Sequence, residues 1–140
     1  MAPPASPSAR IYHDNDGLDC AHDNDHLTLY VADTLNNRVA AIQNAVCREN
    51  SDGKGDTVSV GGSLNAPLGL TVAPDGHILT VNGGDGFITE ITPFGKQLDK
   101  VLFDSSGTPP GSGALFGLIF VPDIGIYYVD DATNTLNLFH

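Results

Sequence analysis

Short apolar runs alternate along the chain with polar turns rich in Asp, Asn and Gly. Residues 29–42 (LYVADTLNNRVAAI) contain an apolar run, a polar turn and a second apolar run. This pattern predicts two short antiparallel strands joined by a tight loop. The same unit returns at residues 78–91 (ILTVNGGDGFITEI) and 126–139 (IYYVDDATNTLNLF), which indicates that the chain is built by repetition.

The repeat has a constant length over its second and third copies. Residues 69–81 (GLTVAPDGHILTV) match residues 117–129 (GLIFVPDIGIYYV) without a gap, 48 positions apart. The first copy is looser, and aligning it places Val31 opposite Val81. Three copies therefore account for nearly the whole chain.

Each copy predicts a four-stranded antiparallel meander. One alternative is left open, because residues 38–47 (RVAAIQNAVC) have apolar side chains at helical spacing and could form a helix. The predicted strands cover residues 18–21, 27–31, 38–42 and 57–60 in the first copy, 69–73, 77–81, 87–92 and 100–103 in the second, and 118–121, 126–129 and 135–139 in the third.

Composition supports an all-β domain and excludes some partners. The 140 residues include 16 Gly and 9 Pro, which suits many short strands and turns. The formal charge is −11 with only 6 Lys and Arg, so we expect neither nucleic acid nor an anionic membrane as partner. No apolar run reaches the roughly 20 residues of a spanning helix. The chain reads as soluble, and export of a longer parent protein, to the periplasm or the extracellular space, is left open.

Two smaller features complete this reading. Residues 1–9 (MAPPASPSA) predict a disordered lead-in, and residues 10–13 (RIYH) are interpreted as a stray edge strand. Cys20 and Cys47 lack CxxC spacing, and we expect two partly buried thiols, with a disulfide as the alternative.

The turn in residues 31–39 (VADTLNNRV) resembles the hallmark of NHL repeats, through Asp33, Asn37 and Arg38. The later copies depart from it, since Phe87 and Thr135 fall near the Arg position. The resemblance implies a β-propeller, usually of six blades in this family. The expected fold is thus an all-β propeller fragment of three four-stranded antiparallel blades, about 10–62, 63–111 and 112–140, the last incomplete.

Three blades are too few to close a ring, because propellers close with about four or more. We therefore expect either a part of a longer chain or a homodimer whose two chains complete the ring.

In the geometry that the resemblance implies, one rim collects the loops between second and third strands and the loops that lead into each first strand. Oxygen ligands there would suit calcium or sugar hydroxyls, although Asp and Asn are also common in tight turns for structural reasons. Asn82 and Asp130 follow equivalent second strands and are the candidate metal ligands. The candidate binding residues are Asn65, Asp33, Asn82, Asp85, Asp130 and Asp131.

Signals of catalysis are sparse. There is no GxSxG motif, the Gly-rich residues 104–113 (DSSGTPPGSG) lack a phosphate-binding Lys, and residues 13–26 (HDNDGLDCAHDNDH) lack the closing Glu of a calcium loop. His77 is read as an exposed polar residue.

The favoured function is a non-enzymatic NHL-repeat propeller that binds or scaffolds a protein or carbohydrate ligand. The alternative is a metal-assisted lactonase or hydrolase with its remaining site residues in missing blades. The metal set of gluconolactonases, which are six-bladed relatives, includes a Glu, and neither Glu49 nor Glu90 falls in a matching loop.

Overall fold

The computed structural model describes residues 27–140, and every regular element in that range is a β-strand. This confirms the all-β prediction. The helix left open at residues 38–47 does not form, because residues 38–42 are a strand and residues 43–47 are turns. The strands are β1 (Leu29–Asp33), β2 (Arg38–Ile42), β3 (Asp56–Val60), β4 (Pro67–Val72), β5 (Ile78–Asn82), β6 (Phe87–Ile91), β7 (Gln97–Leu102), β8 (Leu115–Val121), β9 (Gly125–Asp130) and β10 (Thr135–Phe139).

The strands form three antiparallel sheets in chain order, which we call blades 1, 2 and 3. Blade 1 contains β1–β2–β3, blade 2 contains β4–β5–β6–β7, and blade 3 contains β8–β9–β10. Each sheet is a meander whose neighbouring strands are also neighbours in sequence. The predicted lead-in at residues 1–9 and the predicted strands at residues 10–13 and 18–21 lie outside the described residues.

The repeat of the sequence is a repeat of the backbone. β4 and β6 begin at Pro67 and Phe87, and β8 and β10 begin 48 positions later, at Leu115 and Thr135. From blade 1 to blade 2 the shift is 49 positions, since β1 ends at Asp33 and β5 at Asn82. Ala32, and not Val31, is therefore opposite Val81.

The β1–β2, β5–β6 and β9–β10 loops each have four residues and end on a residue with positive φ. This residue is Asn37 (φ 51°), Gly86 (φ 73°) and Asn134 (φ 58°) in the three blades. Asn and Gly adopt this left-handed conformation more readily than other residues. The loops therefore have the same geometry although their sequences differ.

The core consists of apolar side chains pressed between neighbouring blades. Between blades 1 and 2, Val39 and Leu64 pack against Ile78 and Ile91. Between blades 2 and 3, Val81 and Ile88 pack against Leu115, with further contributions from Phe103, Leu118 and Tyr128. Both surfaces of blade 2 are thus buried, which explains why its strands lack a simple alternation of apolar and polar residues.

The structure corrects the prediction of a thiol at Cys47. Cys47, in the turns after β2, is disulfide-bonded, so the expectation of a free thiol was wrong at this position. The sequence has one other cysteine, Cys20, which lies outside the described residues. A separation of 27 positions in sequence carries no information on distance in space, which is why the spacing could not decide this point.

Candidate functional site: the acidic hairpin rim

The loops at one end of the strands form a continuous surface, which we call the hairpin rim. It contains the loops 34–37, 83–86 and 131–134 and the connectors 61–66 and 103–114 between blades. Backbone hydrogen bonds join these segments across blades: Gly83 N donates to Ala66 O (2.8 Å), Gly113 N to Gly83 O (2.8 Å) and Asp131 N to Ala114 O (2.7 Å). The turns 73–77 and 122–124 lie at the opposite end, because strand direction reverses at each step of a meander.

Asp33 organises the loop that resembles an NHL repeat. Its Oδ1 accepts a hydrogen bond from Asn36 N (3.2 Å) and its Oδ2 one from Arg38 Nε (2.9 Å). Arg38 also donates to Thr57 Oγ1 and to Lys54 O, each at 2.7 Å. The side-chain amide of Asn36 also donates to Asp33 Oδ1 (3.0 Å) and Oδ2 (2.9 Å). The hydrogen bonds from this amide and then from Arg38 lower the pKa of Asp33. This carboxylate therefore acts as the centre of a structural network in blade 1.

Asn37 and Thr34 connect the same loop to blade 2. Asn37 Nδ2 donates to Leu64 O (3.0 Å), and its Oδ1 accepts from Ala66 N (2.9 Å). Thr34 Oγ1 donates to Pro67 O (2.6 Å). The Asp, Asn and Arg of the motif therefore hold one blade together and attach it to the next.

Asn82 is buried and fully used within the protein. Its Oδ1 accepts from Asn65 N (3.1 Å) and its Nδ2 donates to Ser63 O (2.8 Å). These bonds fix the connector that leads into blade 2, and they leave the amide oxygen already engaged. Asn65, by contrast, is exposed and meets Asn82 through its backbone.

Asp130 occupies the same position in blade 3 that Asn82 occupies in blade 2. It is 6% exposed, and its Oδ1 accepts from Thr133 N (3.1 Å). Its carboxyl group is also in contact with the carboxyl group of Asp104. The pKa of Asp104 is lowered, and the main cause is the hydrogen bond from the Ser106 hydroxyl. Asp104 and Asp130 thus bring two carboxyl groups together where blades 2 and 3 meet.

Asp104 was not singled out from the sequence, because residues 104–113 read there as a flexible connector. Only the packing of blade 3 against blade 2 brings this connector to Asp130. Burial first, and then the negative charges of Asp130 and Asp104, raise the pKa of Tyr128.

The remaining candidates stay within their own loops. Asp85 Oδ1 accepts from Phe87 N (3.3 Å), and Asp131 is exposed. The six candidate binding residues therefore do not converge on one point. They are distributed along the rim: Asn82 and Asp130 are buried, Asp33 and Asp85 are half-buried, and Asn65 and Asp131 are exposed.

A second polar cluster lies at the opposite end of blade 2 and consists of Asp75, His77 and Glu90. His77 Nδ1 is 2.6 Å from Glu90 Oε1 and 3.3 Å from Asp75 Oδ2. One ligating atom from each residue lies within 4.8 Å of the others. The hydrogen bond to Glu90, and then the charges of Asp75 and Glu90, raise the pKa of His77. With one imidazole and two carboxylates, this cluster has the donor types that bind Zn²⁺ or Mn²⁺.

His77 was singled out from the sequence, but Glu90 was not recognised as its hydrogen-bond partner. Glu90 lies 13 positions away and reaches His77 because β5 and β6 pair with Leu79 opposite Glu90. In blade 3 the corresponding positions are Asp123, Gly125 and Leu138, which lack the imidazole and one carboxylate. Of the two blades whose turn of this kind lies in the described residues, blade 2 has the cluster and blade 3 does not.

Within residues 27–140 there is also no helix long and apolar enough to cross a membrane.

Comparison with known proteins identifies the fold. No family model matches the chain, and no curated protein matches it. Among solved structures it is similar to a catalytically inactive virginiamycin B lyase from Staphylococcus aureus with quinupristin (TM-score 0.55, 16% identity, 81% of this chain and 38% of that chain). It is also similar to a streptogramin B lyase (TM-score 0.51, 13% identity, 84% of this chain and 42% of that chain).

These proteins are β-propellers, so the predicted propeller fold is confirmed. The chain spans about two fifths of the length of the structures it matches. The finer assignment to NHL repeats stays a prediction.

The buried amide of Asn82 provides a test of its structural role. We expect Asn82→Asp to lower the free energy of unfolding by about 1–3 kcal/mol at neutral pH, because a carboxylate cannot donate to Ser63 O. The loss should shrink in acid, where a protonated carboxyl group regains a donor. Urea denaturation at pH 7 and at pH 4 measures both values. Asp130→Asn, at the equivalent position of blade 3, is the matched control and should keep the bond from Thr133 N.

The network of Asp33 predicts a defined pH dependence. The pKa of Asp33 lies below its ordinary value of 3.8 in the folded protein. Its contribution to stability is therefore present above pH 3.8 and lost as the pH falls through the lowered pKa. Asp33→Asn should reduce the melting temperature at pH 7, and the difference from the wild type should close as the pH falls below 3.8. A difference that stays constant over this range would contradict the assignment.

Proposed function

We propose that this chain is an NHL-type propeller module that binds a protein ligand at the hairpin rim and performs no catalysis of its own. One observation carries the proposal: cross-blade backbone hydrogen bonds fix the loops of neighbouring blades into a single surface that bears carboxylates. Such a surface is pre-organised, so a ligand does not have to order it on binding.

The charge of the rim defines the ligand chemistry. Asp85, Asp104, Asp130 and Asp131 lie along it, and among the described residues no basic side chain is bonded to them, whereas Asp33 is paired with Arg38. The net charge of −11 adds a long-range field of the same sign. The rim therefore suits a protein segment rich in Lys and Arg.

A synthetic decalysine peptide is a suitable probe for this rim. We expect Asp85→Asn combined with Asp131→Asn to weaken binding roughly fivefold at low salt, consistent with about 0.2–1 kcal/mol for each exposed charge pair. Both substitutions are isosteric, and the new amide oxygen at position 85 would still accept from the backbone N–H of Phe87. Isothermal titration calorimetry at two salt concentrations gives the affinities and their dependence on salt.

Asp56→Asn combined with Asp123→Asn is the matched control for this experiment, because it also removes two exposed charges and both residues lie at the opposite end of the strands. Equal weakening by the control and the rim variant would refute a local site. A neutral oligosaccharide that binds independently of salt, and loses affinity in Asn65→Ala, would favour the carbohydrate ligand instead.

The second candidate is a metal-assisted lactonase or hydrolase, with further site residues in blades outside residues 27–140. The geometry of Asp75, His77 and Glu90 favours it, because this cluster offers the donors of a divalent cation site. The solved structures of similar fold are lyases, and at this level of identity the likeness supports the scaffold only.

Thermal melting with added cations tests this second candidate. Zn²⁺ or Mn²⁺ should raise the melting temperature by mass action if the cluster binds it, and His77→Gln should abolish the shift. Ca²⁺, which prefers oxygen donors, tests the Asp104 and Asp130 pair in the same assay. Unchanged melting with all three ions would count against a metal-assisted enzyme.

A further inference from the structure

The cluster of Asp75, His77 and Glu90 is assembled by one turn and one strand pair of blade 2. In the β5–β6 register Leu79 lies opposite Glu90, so their side chains project to the same side of the sheet. Side chains alternate along a strand, which places His77, two positions before Leu79, on that side as well. The imidazole and the Glu90 carboxylate, 2.6 Å apart, therefore come from neighbouring strands.

Hydrogen bonds within the turn 73–77 fix the position of Asp75. Gly76 N donates to Ala73 O (2.9 Å), and Ala73 N donates to His77 O (2.8 Å). Asp75 Oδ1 accepts from His77 N (3.0 Å), and its Oδ2 lies 3.3 Å from His77 Nδ1. The turn thus holds one carboxylate oxygen beside the imidazole without contacts from other segments.

The distances between the three ligand atoms suit a small divalent cation. Bonds of about 2.0–2.2 Å in a tetrahedral arrangement place neighbouring ligand atoms about 3.3–3.6 Å apart. Asp75 Oδ2 and His77 Nδ1 already have a separation of 3.3 Å. The distance from Nδ1 to Glu90 Oε1 would have to widen by roughly 0.7–1 Å, which rotation of the partly exposed Glu90 side chain allows.

The charge around the cluster also favours a cation. Neither Asp75 nor Glu90 forms an ion pair with a Lys or Arg side chain in the part of the chain that the structure describes. Asp99 lies opposite Glu90 in the β6–β7 register and adds a third carboxylate on the same side of the sheet. A bound divalent cation would offset this local excess of negative charge.

We propose that Asp75 Oδ2, His77 Nδ1 and Glu90 Oε1 bind one Zn²⁺ ion, which joins the turn 73–77 to β6. One imidazole with two carboxylates is a ligand set of Zn²⁺, whereas Ca²⁺ prefers oxygen alone, and Mn²⁺ binds such sites less tightly. His77 and Asp75 are 26% and 60% exposed, so the ion has access and water can take the fourth position. The site needs neither a rim ligand nor hydrolysis, and it therefore goes beyond both candidate functions.

Isothermal titration calorimetry of the untagged, metal-free chain with Zn²⁺ tests this site. His77→Gln should weaken Zn²⁺ binding at least about 100-fold, because residues that only support a ligand already contribute roughly 10–100-fold. Glu90→Gln and Asp75→Asn, which preserve side-chain size, should each weaken it as well. Ca²⁺ should bind the wild type more weakly than Zn²⁺.

The matched control concerns the other imidazoles of the sequence. His13, His22 and His26 lie outside the described residues, and a variant with His13→Gln, His22→Gln and His26→Gln should bind one Zn²⁺ ion per chain with unchanged affinity. Adding His77→Gln to this variant should abolish binding. Binding that survives His77→Gln, or that is lost in the control, overturns the proposal.

Amide hydrogen exchange tests whether the ion joins the two segments. Zn²⁺ should slow exchange in the turn 73–77 and in β6, and His77→Gln should remove this protection. The turn of blade 3 is the internal reference, because Gly125 and Leu138 stand there in place of His77 and Glu90. Equal protection of both turns, or none in blade 2, overturns the proposal, and either result leaves the rim ligand unaffected.

Discussion

Apolar packing between neighbouring blades is the interaction on which the rest of this structure depends. The sheets have only three or four strands, and such small sheets need a covered apolar face to be stable. Blade 2 meets this requirement twice, through Ile78 and Ile91 on one surface and Val81 and Ile88 on the other. Because these contacts use paired positions that recur along the chain, one sequence period is sufficient to build the array.

The polar residues of the rim have a different task. Loops at the ends of strands leave backbone groups without partners in the sheet, and these groups need hydrogen bonds when they are buried. Asp33 supplies such a bond within its own loop, whereas Asn37 and Asn82 supply them to the connector between blades 1 and 2. This explains why several Asp and Asn side chains in these turns are already engaged in hydrogen bonds within the protein.

Chemistry at the two ends of the strands differs accordingly. The rim offers oxygen atoms on a broad surface, and its pair of Asp104 with Asp130 forms where two blades meet. The opposite end offers a compact group of one imidazole and two carboxylates within a single blade. The first arrangement is suited to a large ligand with positive charge, and the second to a single cation. The same scaffold therefore carries groups of different chemistry at its two ends.

The sequence by itself determined the class of fold, the repetition and the approximate places of the described strands, because alternating apolar runs and turn residues act locally and recur every 48 or 49 positions. The bounds of some strands differ, since the predicted strands 27–31 and 100–103 are found at Leu29–Asp33 and Gln97–Leu102. Residues 38–42 and 135–139 were predicted with the bounds that the structure shows. The sequence also indicated that both sides of a strand such as residues 126–129 would be apolar.

Only the tertiary structure decided which side chains meet. Glu90 reaches His77 through strand pairing, Asp104 reaches Asp130 through blade packing, and the role of Asn82 depends on a connector 17 positions away. The disulfide at Cys47 is likewise a contact that the sequence pattern did not decide. The local pattern of apolar and turn residues specifies which secondary structure each segment forms. Contacts between distant segments depend on how whole sheets pack, and the distances between those segments cannot be derived from the local pattern.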